Sequence, residues 1–219
     1  MTTLGQEEQS CALCGVKSEH TSINSTNSFG SPDLDLRPPE MERSTMAYWV
    51  QECPNCGYAY DSIEEKPPQT DATVSSEAYK AILSSPINGS LTGRFLKASL
   101  ISEGASEPDS AANYALNAAW AADDADDIEG AISHRERAAN LFAISLNDVD
   151  EMSEDSIVTR TRMVDILRRA ERWDEALKLA EVLFGLELDA TIRAVLEFER
   201  SAASKQDGLC YTIEEALGD

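Results

Sequence analysis

Two pentapeptides organise this chain, Cys11-Ala12-Leu13-Cys14-Gly15 and Cys53-Pro54-Asn55-Cys56-Gly57. In each of them two cysteines stand three positions apart, and a glycine follows the second. This spacing is typical of a knuckle turn, in which backbone N–H groups point at the sulfurs and the glycine adopts a positive φ angle. Two knuckles present four thiolates, the ligand set of a tetrahedral zinc ion with Zn–S bonds of about 2.3 Å. The sequence therefore predicts a structural zinc site at Cys11, Cys14, Cys53 and Cys56, with no open position for a substrate.

Other uses of paired cysteines are disulfides, redox motifs and iron sites. Disulfides are rare in cytoplasmic proteins, and a thioredoxin-like CxxC needs a strand before it and a helix after it, which neither pair has. The second pair instead precedes Tyr58-Ala59-Tyr60, which is typical of a strand. Iron binds the same four thiolates in rubredoxin-like knuckles and stays open as the alternative metal. Cys210 stands alone and is expected to be a small packing residue.

The connection between the knuckles is unusually long. Thirty-eight residues separate Cys14 from Cys53, whereas ordinary ribbons have about 15–20. We call the surplus, residues 22–40, the insert. Its second half alternates charged and apolar residues over 33–37, which predicts a strand with one apolar face, and a further strand is expected over 41–50.

The insert, together with Arg43 shortly after it, also carries the candidate functional residues. They are charged and close in sequence, so that they would form a rim beside the zinc site: Asp33, Asp35, Arg37 and Arg43. Such a rim would suit a site in a cleft between the insert and the rest of the chain. The alternative is a long β-hairpin in which Asp–Arg pairs only join neighbouring strands, each pair contributing a fraction of a kcal/mol (~0.2–1).

The composition changes after residue 66. Glu64–Asp71 is charged and contains Pro67-Pro68, which favours extended backbone, and the residues that follow are rich in Ala, Leu, Glu and Arg. We therefore expect an α+β protein, with a zinc-ribbon β module at 1–66 and an all-α, helical-hairpin domain at 67–219. Helices are expected at 75–85, 90–103, 109–123, 127–147, 154–171, 173–185, 190–204 and 212–217.

Residue types at the helix ends support these boundaries. Ser153 and Asp189 are expected as N-caps, Pro108 in a first helical turn, and Gly104 as a C-cap. The helix at 109–123 carries seven alanines, which permit close helix contact.

An internal repeat points to the arrangement of these helices. Ile128-Glu129-Gly130-Ala131-Ile132 recurs as Trp173-Asp174-Glu175-Ala176-Leu177 and as Ile213-Glu214-Glu215-Ala216-Leu217. A pattern of this kind opens the second helix of a tetratricopeptide (TPR) hairpin, where the small alanine lets neighbouring helices approach. The spacings are longer than the 34-residue TPR period, so the prediction is TPR-like.

Together these features resemble a bacterial family known only as a domain of unknown function, which has an N-terminal paired-CxxC zinc ribbon and TPR-like helices. The similarity is carried by the first knuckle, by Trp49-Val50-Gln51-Glu52 leading into the second knuckle and Tyr58-Ala59, and by Ala118-Ala119-Trp120-Ala121. It covers most of the chain. The resemblance implies metal binding and this architecture, and it implies no catalytic activity.

The net charge constrains the partners. The 219 residues contain 18 Lys and Arg against 40 Asp and Glu, a net charge of −22. Because nucleic-acid binders rely on basic side chains at the phosphates, nucleic acid is an unlikely partner for this chain. Its densest basic cluster is Arg168, Arg169 and Arg172, on a helix that is expected to be structural. A protein partner with basic groups is expected.

The composition favours a globular protein, with 42% hydrophobic and 26% charged residues. No apolar run reaches the roughly 18–20 residues that span a membrane. The segment Met1–Glu8 lacks the basic and apolar regions of a secretory signal, so a cytoplasmic location is expected.

Three functions follow from these observations. The leading one is a non-catalytic, zinc-binding interaction or scaffold protein that binds its partner through the helical repeats. The second is an enzyme with a site between the insert and the helices, although the sequence contains none of the common catalytic motifs. The third, which the charge disfavours, is a nucleic-acid-binding zinc ribbon.

Overall fold

The computed structural model describes residues 1–147 and 149–218. Two antiparallel strand pairs occupy the N-terminal part and helices follow, which confirms the α+β class. The strands are β1 Thr3–Ser10, β2 Lys17–Ser25, β3 Gln51–Glu52 and β4 Ala59–Tyr60, with a 3₁₀ helix at Arg43–Tyr48. The helices are α1 Thr70–Val74, α2 Glu77–Leu83, α3 Leu91–Gly104, α4 Pro108–Asp124, α5 Ile128–Ser145, α6 Glu154–Arg169, α7 Trp173–Phe184, α8 Ala190–Ser204 and α9 Ile213–Leu217.

Both knuckles lie at the tips of antiparallel strand pairs. Ser10 pairs with Lys17 at the end of the β1–β2 ladder, and the first knuckle fills the connection. Glu52 pairs with Ala59 at the end of the β3–β4 ladder, and the second knuckle fills that connection. The strand expected after the second knuckle is confirmed, and the same turn in both places presents its cysteines in the same way.

The insert does not form the strands that its alternation predicts. Asp33 makes a single antiparallel bridge with Thr212, and Leu36 turns the chain back with a left-handed φ of 65°. The expected strand over 41–50 is also wrong, because a 3₁₀ helix occupies Arg43–Tyr48. The physical reason is that Asp35 is fully buried among arginines of the helices, which a hairpin standing away from them would not permit.

The helices follow the sequence prediction closely from α3 onward. Ser153 and Asp189 accept hydrogen bonds from the first-turn N–H groups of α6 and α8, and Pro108 begins α4. The helix expected at 75–85 is found as α2, and the short α1 before it was not expected. Gly104 is the last residue of α3 rather than a C-cap; a Cβ there would lie 2.2 Å from Oγ1 of Thr73, so the glycine allows α1 to pack against α3.

Four of the helix ends share one turn. Ser106, Asp126, Glu171 and Gln206 adopt φ angles between 54° and 64° directly after α3, α4, α6 and α8. In each case the next N–H bonds back to a carbonyl in the last helical turn, at 2.9–3.0 Å. This is the Schellman arrangement. The three copies of the repeated pentapeptide begin α5, α7 and α9, so each opens the helix that follows such a turn.

The apolar core runs without interruption from the knuckles into the helices. Val50, Tyr58 and Ile63 from the N-terminal part belong to the same buried cluster as Phe95, and it continues through the helices as far as Ala203. All seven alanines of α4 are buried, and α4 packs most extensively against α5 and α3. Within the described residues, every helix is too short or too polar to cross a bilayer.

Candidate metal centre

The two knuckles have matching backbone geometry. The N–H of Cys11 donates to the carbonyl of Val16 at 3.0 Å, and the N–H of Cys53 donates to the carbonyl of Tyr58 at 2.8 Å. The N–H of each following glycine, Gly15 and Gly57, then closes the turn on the first cysteine, at 2.8 and 2.9 Å. Both glycines have a φ of 71°. The glycine at this position therefore has the conformational role that the sequence predicts.

The folded chain brings the four cysteines together. All four Sγ atoms lie within 4.8 Å of one another. The Cys11 and Cys56 sulfurs are 3.7 Å apart, and the Cys14 and Cys53 sulfurs are 3.6 Å apart. A tetrahedron with metal–sulfur bonds of about 2.3 Å has edges of about 3.8 Å. The four cysteines are thus positioned to hold a metal ion, with two ligands from each knuckle.

The thiols experience different surroundings without a cation. The backbone N–H of Val16 lowers the pKa of Cys14 to about 6, whereas burial raises the pKa values of Cys11 and Cys56. Four adjacent thiolates would repel one another, and the positive charge of a bound cation offsets this repulsion and so keeps the coordinating thiols deprotonated. The donor set therefore suits a soft, thiolate-binding metal.

The glycine end of the second knuckle is more enclosed than that of the first. The hydroxyl of Tyr79, on α2, donates to the carbonyl of Gly57 and accepts from the N–H of Ala59, both at 3.2 Å. A Cβ at Gly57 would lie 2.6 Å from Cδ2 of Leu83, whereas a Cβ at Gly15 would meet open space. Contacts from α2 thus hold the glycine end of the second knuckle, while Cys14 and Gly15 of the first knuckle are exposed.

The four charged residues of the predicted rim do not form one group. Asp33 pairs with Arg43 at 2.6 Å. Asp35 accepts from the backbone N–H of Arg37 at 3.2 Å, and the Arg37 guanidinium reaches Asp124 at 2.5 Å. Asp33, Asp35 and Arg37 are buried, so these side chains join the insert to the helices instead of lining an open rim.

Asp35 is the centre of a buried group of ion pairs that the sequence did not reveal. We call it the arginine–carboxylate cluster: Asp35, Asp123, Arg135 and Arg169. One oxygen of Asp35 accepts from Nε1 of Trp120 at 2.7 Å and from Arg169 at 3.1 Å. Arg135 forms a two-pronged pair with Asp123, at 2.5 and 3.1 Å, and Arg169 also reaches Asp123 at 2.8 Å.

The pKa of Asp123 reflects this environment. Burial by itself would raise it, but the hydrogen bonds and charge of Arg135, together with Arg169 and Arg37, hold the pKa below its usual value. The charged form of Asp123 is therefore part of the folded state. The arginine–carboxylate cluster joins the insert to α4, α5 and α6, and nothing in the spacing of its members along the chain predicts their contact.

A second buried ion group lies between α6 and α8. Arg168 donates to Glu199 at 2.7 Å and also contacts Asp165, one turn earlier on its own helix. All three side chains are almost completely buried. Burial raises the pKa values of Asp165 and Glu199, because a single guanidinium cannot compensate two buried negative charges.

Cys210 does not have the packing role that was expected from the sequence. It lies on the exposed surface near the C-terminus and not in a packed position. Tyr211, the next residue, contacts Phe198 edge-on with ring centroids 4.9 Å apart and supplies the packing at this point.

Comparisons with protein-family models, with curated proteins and with solved structures return no match for this chain. The similarity to the bacterial family therefore stays a prediction, and the geometry itself carries the functional argument.

Proposed function

We propose that this protein is a non-catalytic interaction or scaffold protein whose N-terminal part is stabilised by one zinc ion. The observation that carries the proposal is the closed set of four sulfurs within 4.8 Å of one another. A site whose four ligands all come from the protein leaves no position for a substrate and contributes to folding. Zinc fits better than iron in this proposal because a structural site needs no redox chemistry, and iron is the alternative that metal analysis would detect.

The zinc ribbon and the TPR-like division of the chain belong to this proposal. We assign residues 1–66 to a ribbon module and 67–219 to a helical domain, on the composition change at Pro67-Pro68. The repeated pentapeptide at the starts of α5, α7 and α9 supports a TPR-like reading, as do the shared Schellman turns. Successive helical hairpins of this kind expose surfaces on which other proteins can bind.

The charge distribution supports a basic protein partner, which we place in the cytoplasm as part of the same proposal. Residues 67–219 contain 14 basic and 29 acidic side chains, a net charge of −15. Of the densest basic cluster, Arg168 and Arg169 are buried in ion pairs and Arg172 is paired with Glu175. These contacts leave little basic surface for phosphates, which argues against the nucleic-acid alternative.

The enzyme alternative depends on the acidic residues of the insert. Asp33 and Asp35 are engaged with Arg43 and with the arginine–carboxylate cluster. A general acid or base has to be within hydrogen-bond reach of a substrate, so this burial favours a structural role for the insert.

The proposed function is tested on the full chain isolated from its own host. Native mass spectrometry without denaturation reports metal, oligomeric state and retained partner together. We expect one zinc per chain and a co-purifying protein with an excess of Lys and Arg. A partnerless chain after crosslinking in the host would contradict the interaction role, and a chain without metal would contradict the zinc site.

A further inference from the structure

An apolar cavity of about 160 Å³ lies between the insert and helices α6, α8 and α9. Of its nine lining residues, six are aliphatic: Leu34, Leu36, Val158, Ile192, Val195 and Ile213. The one charged lining residue is Arg162, whose guanidinium lies over the Phe142 ring at 4.3 Å and donates to Asn113 at 3.0 Å. An apolar space of about 150 Å³ accepts a molecule the size of benzene. The cavity is therefore large enough for one leucine-sized side chain.

The cavity opens to the surface through exposed apolar groups. Leu36 has the left-handed φ of 65° and Val158 stands on the outer face of α6, and their side chains are 39% and 38% exposed. Isolated exposed aliphatic residues need no explanation, but these two stand together at the mouth of an apolar cavity. An arriving side chain would pass between them and be removed from water.

A wider groove of about 520 Å³ adjoins the cavity and shares Val158 with it. Its lining includes Leu146 and Val149 and three exposed carboxylates. The carboxylates belong to Asp109, Glu154 and Asp155, and none of them forms an ion pair with Lys or Arg among the described residues. Carboxylates in first helical turns favour the helix dipole. That role does not account for the exposed valines between them.

We propose that the cavity and this groove form one docking surface for a basic segment of a partner protein. One aliphatic side chain of the segment enters the 160 Å³ cavity, and Lys or Arg side chains beside it lie over Asp109, Glu154 and Asp155. The apolar pocket supplies the anchor and the carboxylates supply charge complementarity. This inference rests on the proposed interaction function, and it names the surface and the chemistry of the partner.

The direct test is NMR titration of the full, metal-loaded chain with isoleucine, leucine and valine methyl groups labelled. The first probe is a blocked tetrapeptide of one leucine and three lysines. Its controls replace the leucine by alanine, or the three lysines by glutamates. We expect the methyl signals of Ile192 and Val195 to move with the leucine–lysine probe, and the alanine probe to bind about tenfold more weakly, because it buries less apolar surface. The glutamate probe should leave them unmoved.

Two outcomes of this titration overturn the proposal. Equal shifts with the leucine and alanine probes would mean that the cavity is not the anchor. Equal binding of the lysine and glutamate probes would mean that the carboxylates play no part. Both outcomes are read on the wild-type chain, so neither depends on whether a variant folds.

A matched pair of variants then locates the surface. Val158→Phe fills the cavity mouth, and Val182→Phe places the same ring on α7, where Val182 is 50% exposed and outside the cavity. We expect Val158→Phe to abolish the methyl shifts and Val182→Phe to preserve them, with equal melting temperatures. Similar binding by both variants would contradict the docking surface.

The same pair separates this inference from the proposed function. If the wild-type chain and Val158→Phe both retain a protein partner from the host, the interaction role stands and the surface is wrong. If the wild-type chain retains none while the probe titration succeeds, the surface binds basic peptides and the scaffold role is wrong.

Discussion

Two polar centres hold the N-terminal segments in place, the four-cysteine centre and the arginine–carboxylate cluster around Asp35. The first joins the two strand-pair tips through sulfurs that are 3.6–3.7 Å apart within its closest pairs. The second joins the insert to α4, α5 and α6 through ion pairs, and its central carboxylate, Asp35, is fully buried. One is specified by local spacing, and the other by side chains that meet only after the helices have packed.

The difference between the centres predicts different modes of failure. A metal site supplies its free energy all at once when the ion binds. A buried ion cluster gains little beyond its desolvation cost, yet it penalises the loss of any one member heavily. Perturbing each centre separately therefore tests whether the two contribute in these different ways.

Removing the metal should have the largest effect. Chelation, or Cys53→Ser, removes metal-coupled folding free energy on the order of 10 kcal/mol. We expect amide hydrogens of β1, β2, β3 and β4 to lose protection from exchange while those of α4–α8 keep theirs. The matched control is Cys210→Ser, which changes an exposed thiol outside the cluster and should leave the exchange pattern unchanged. Protection of the strands after complete metal removal would contradict the account.

Asp35→Ala should have the next largest effect. It removes the acceptor of the Trp120 indole N–H and one of the two carboxylates that pair with Arg169 and Arg135, which then have only Asp123. We expect a loss of about 3–5 kcal/mol in the free energy of unfolding. Denaturant titration measures it.

The matched control for Asp35→Ala is Glu8→Ala. Glu8 pairs with Lys17 at the surface of the β1–β2 hairpin, both side chains being more than half exposed. That variant should change stability by less than about 1 kcal/mol. Equal effects of the two substitutions would remove the distinction between a buried cluster and a surface pair.

The knuckle glycines provide a smaller test of the metal centre. Gly15→Ala places an ordinary side chain in the left-handed region and should destabilise by about 1–2 kcal/mol. Gly57→Ala has the same backbone cost and also brings Cβ to 2.6 Å from Leu83. We expect a lower thermal midpoint for Gly57→Ala than for Gly15→Ala. In the double variant Gly57→Ala/Leu83→Ala, the thermal midpoint should lie closer to that of Gly15→Ala. An unchanged difference in thermal midpoint would argue against the contact between the new Cβ and Leu83.

The pH dependence of stability should have opposite signs at the two buried ion groups, because the pKa of Asp123 is lowered and that of Glu199 is raised in the folded state. Asp123 has a lowered pKa in the folded state, so its contribution is present above its unfolded pKa and is lost as pH falls through the folded value. Glu199 has a raised pKa, so its contribution is present at low pH and is lost as pH rises.

Two conservative variants read out these signs in urea titrations at several pH values. Asp123→Asn should weaken the decline of stability below about pH 4, and Glu199→Gln should weaken the decline toward neutral pH. If both variants changed the pH profile in the same direction, the assignment of the two groups would be wrong.

The sequence predicted what depends on local spacing. The CxxC-Gly pairs predicted the cysteine cluster because four thiols in two such turns have few other arrangements. Pro108, Ser153 and Asp189 located helix starts because capping is decided by a few neighbouring groups. The repeated pentapeptide identified the starts of α5, α7 and α9 for the same reason.

The sequence failed where tertiary contacts override a local pattern. The alternation over 33–37 has the period of a strand, but Asp35 forms ion pairs with arginines that lie more than 90 residues later in the sequence. Gly104 was expected as a C-cap because glycine is common at that position. In the structure its missing side chain instead lets Thr73 approach α3. The cavity beside Leu34 combines segments from both ends of the chain, so no single stretch of sequence indicates it.

The central claim is that one zinc ion bound by Cys11, Cys14, Cys53 and Cys56 holds the N-terminal fold together. Native mass spectrometry of the full chain, combined with elemental analysis, tests it most directly. The account predicts one zinc per wild-type chain, retained by Cys210→Ser and lost from Cys11→Ser and Cys56→Ser alike. A metal-free chain with folded strands, or one iron per chain in place of zinc, would contradict it.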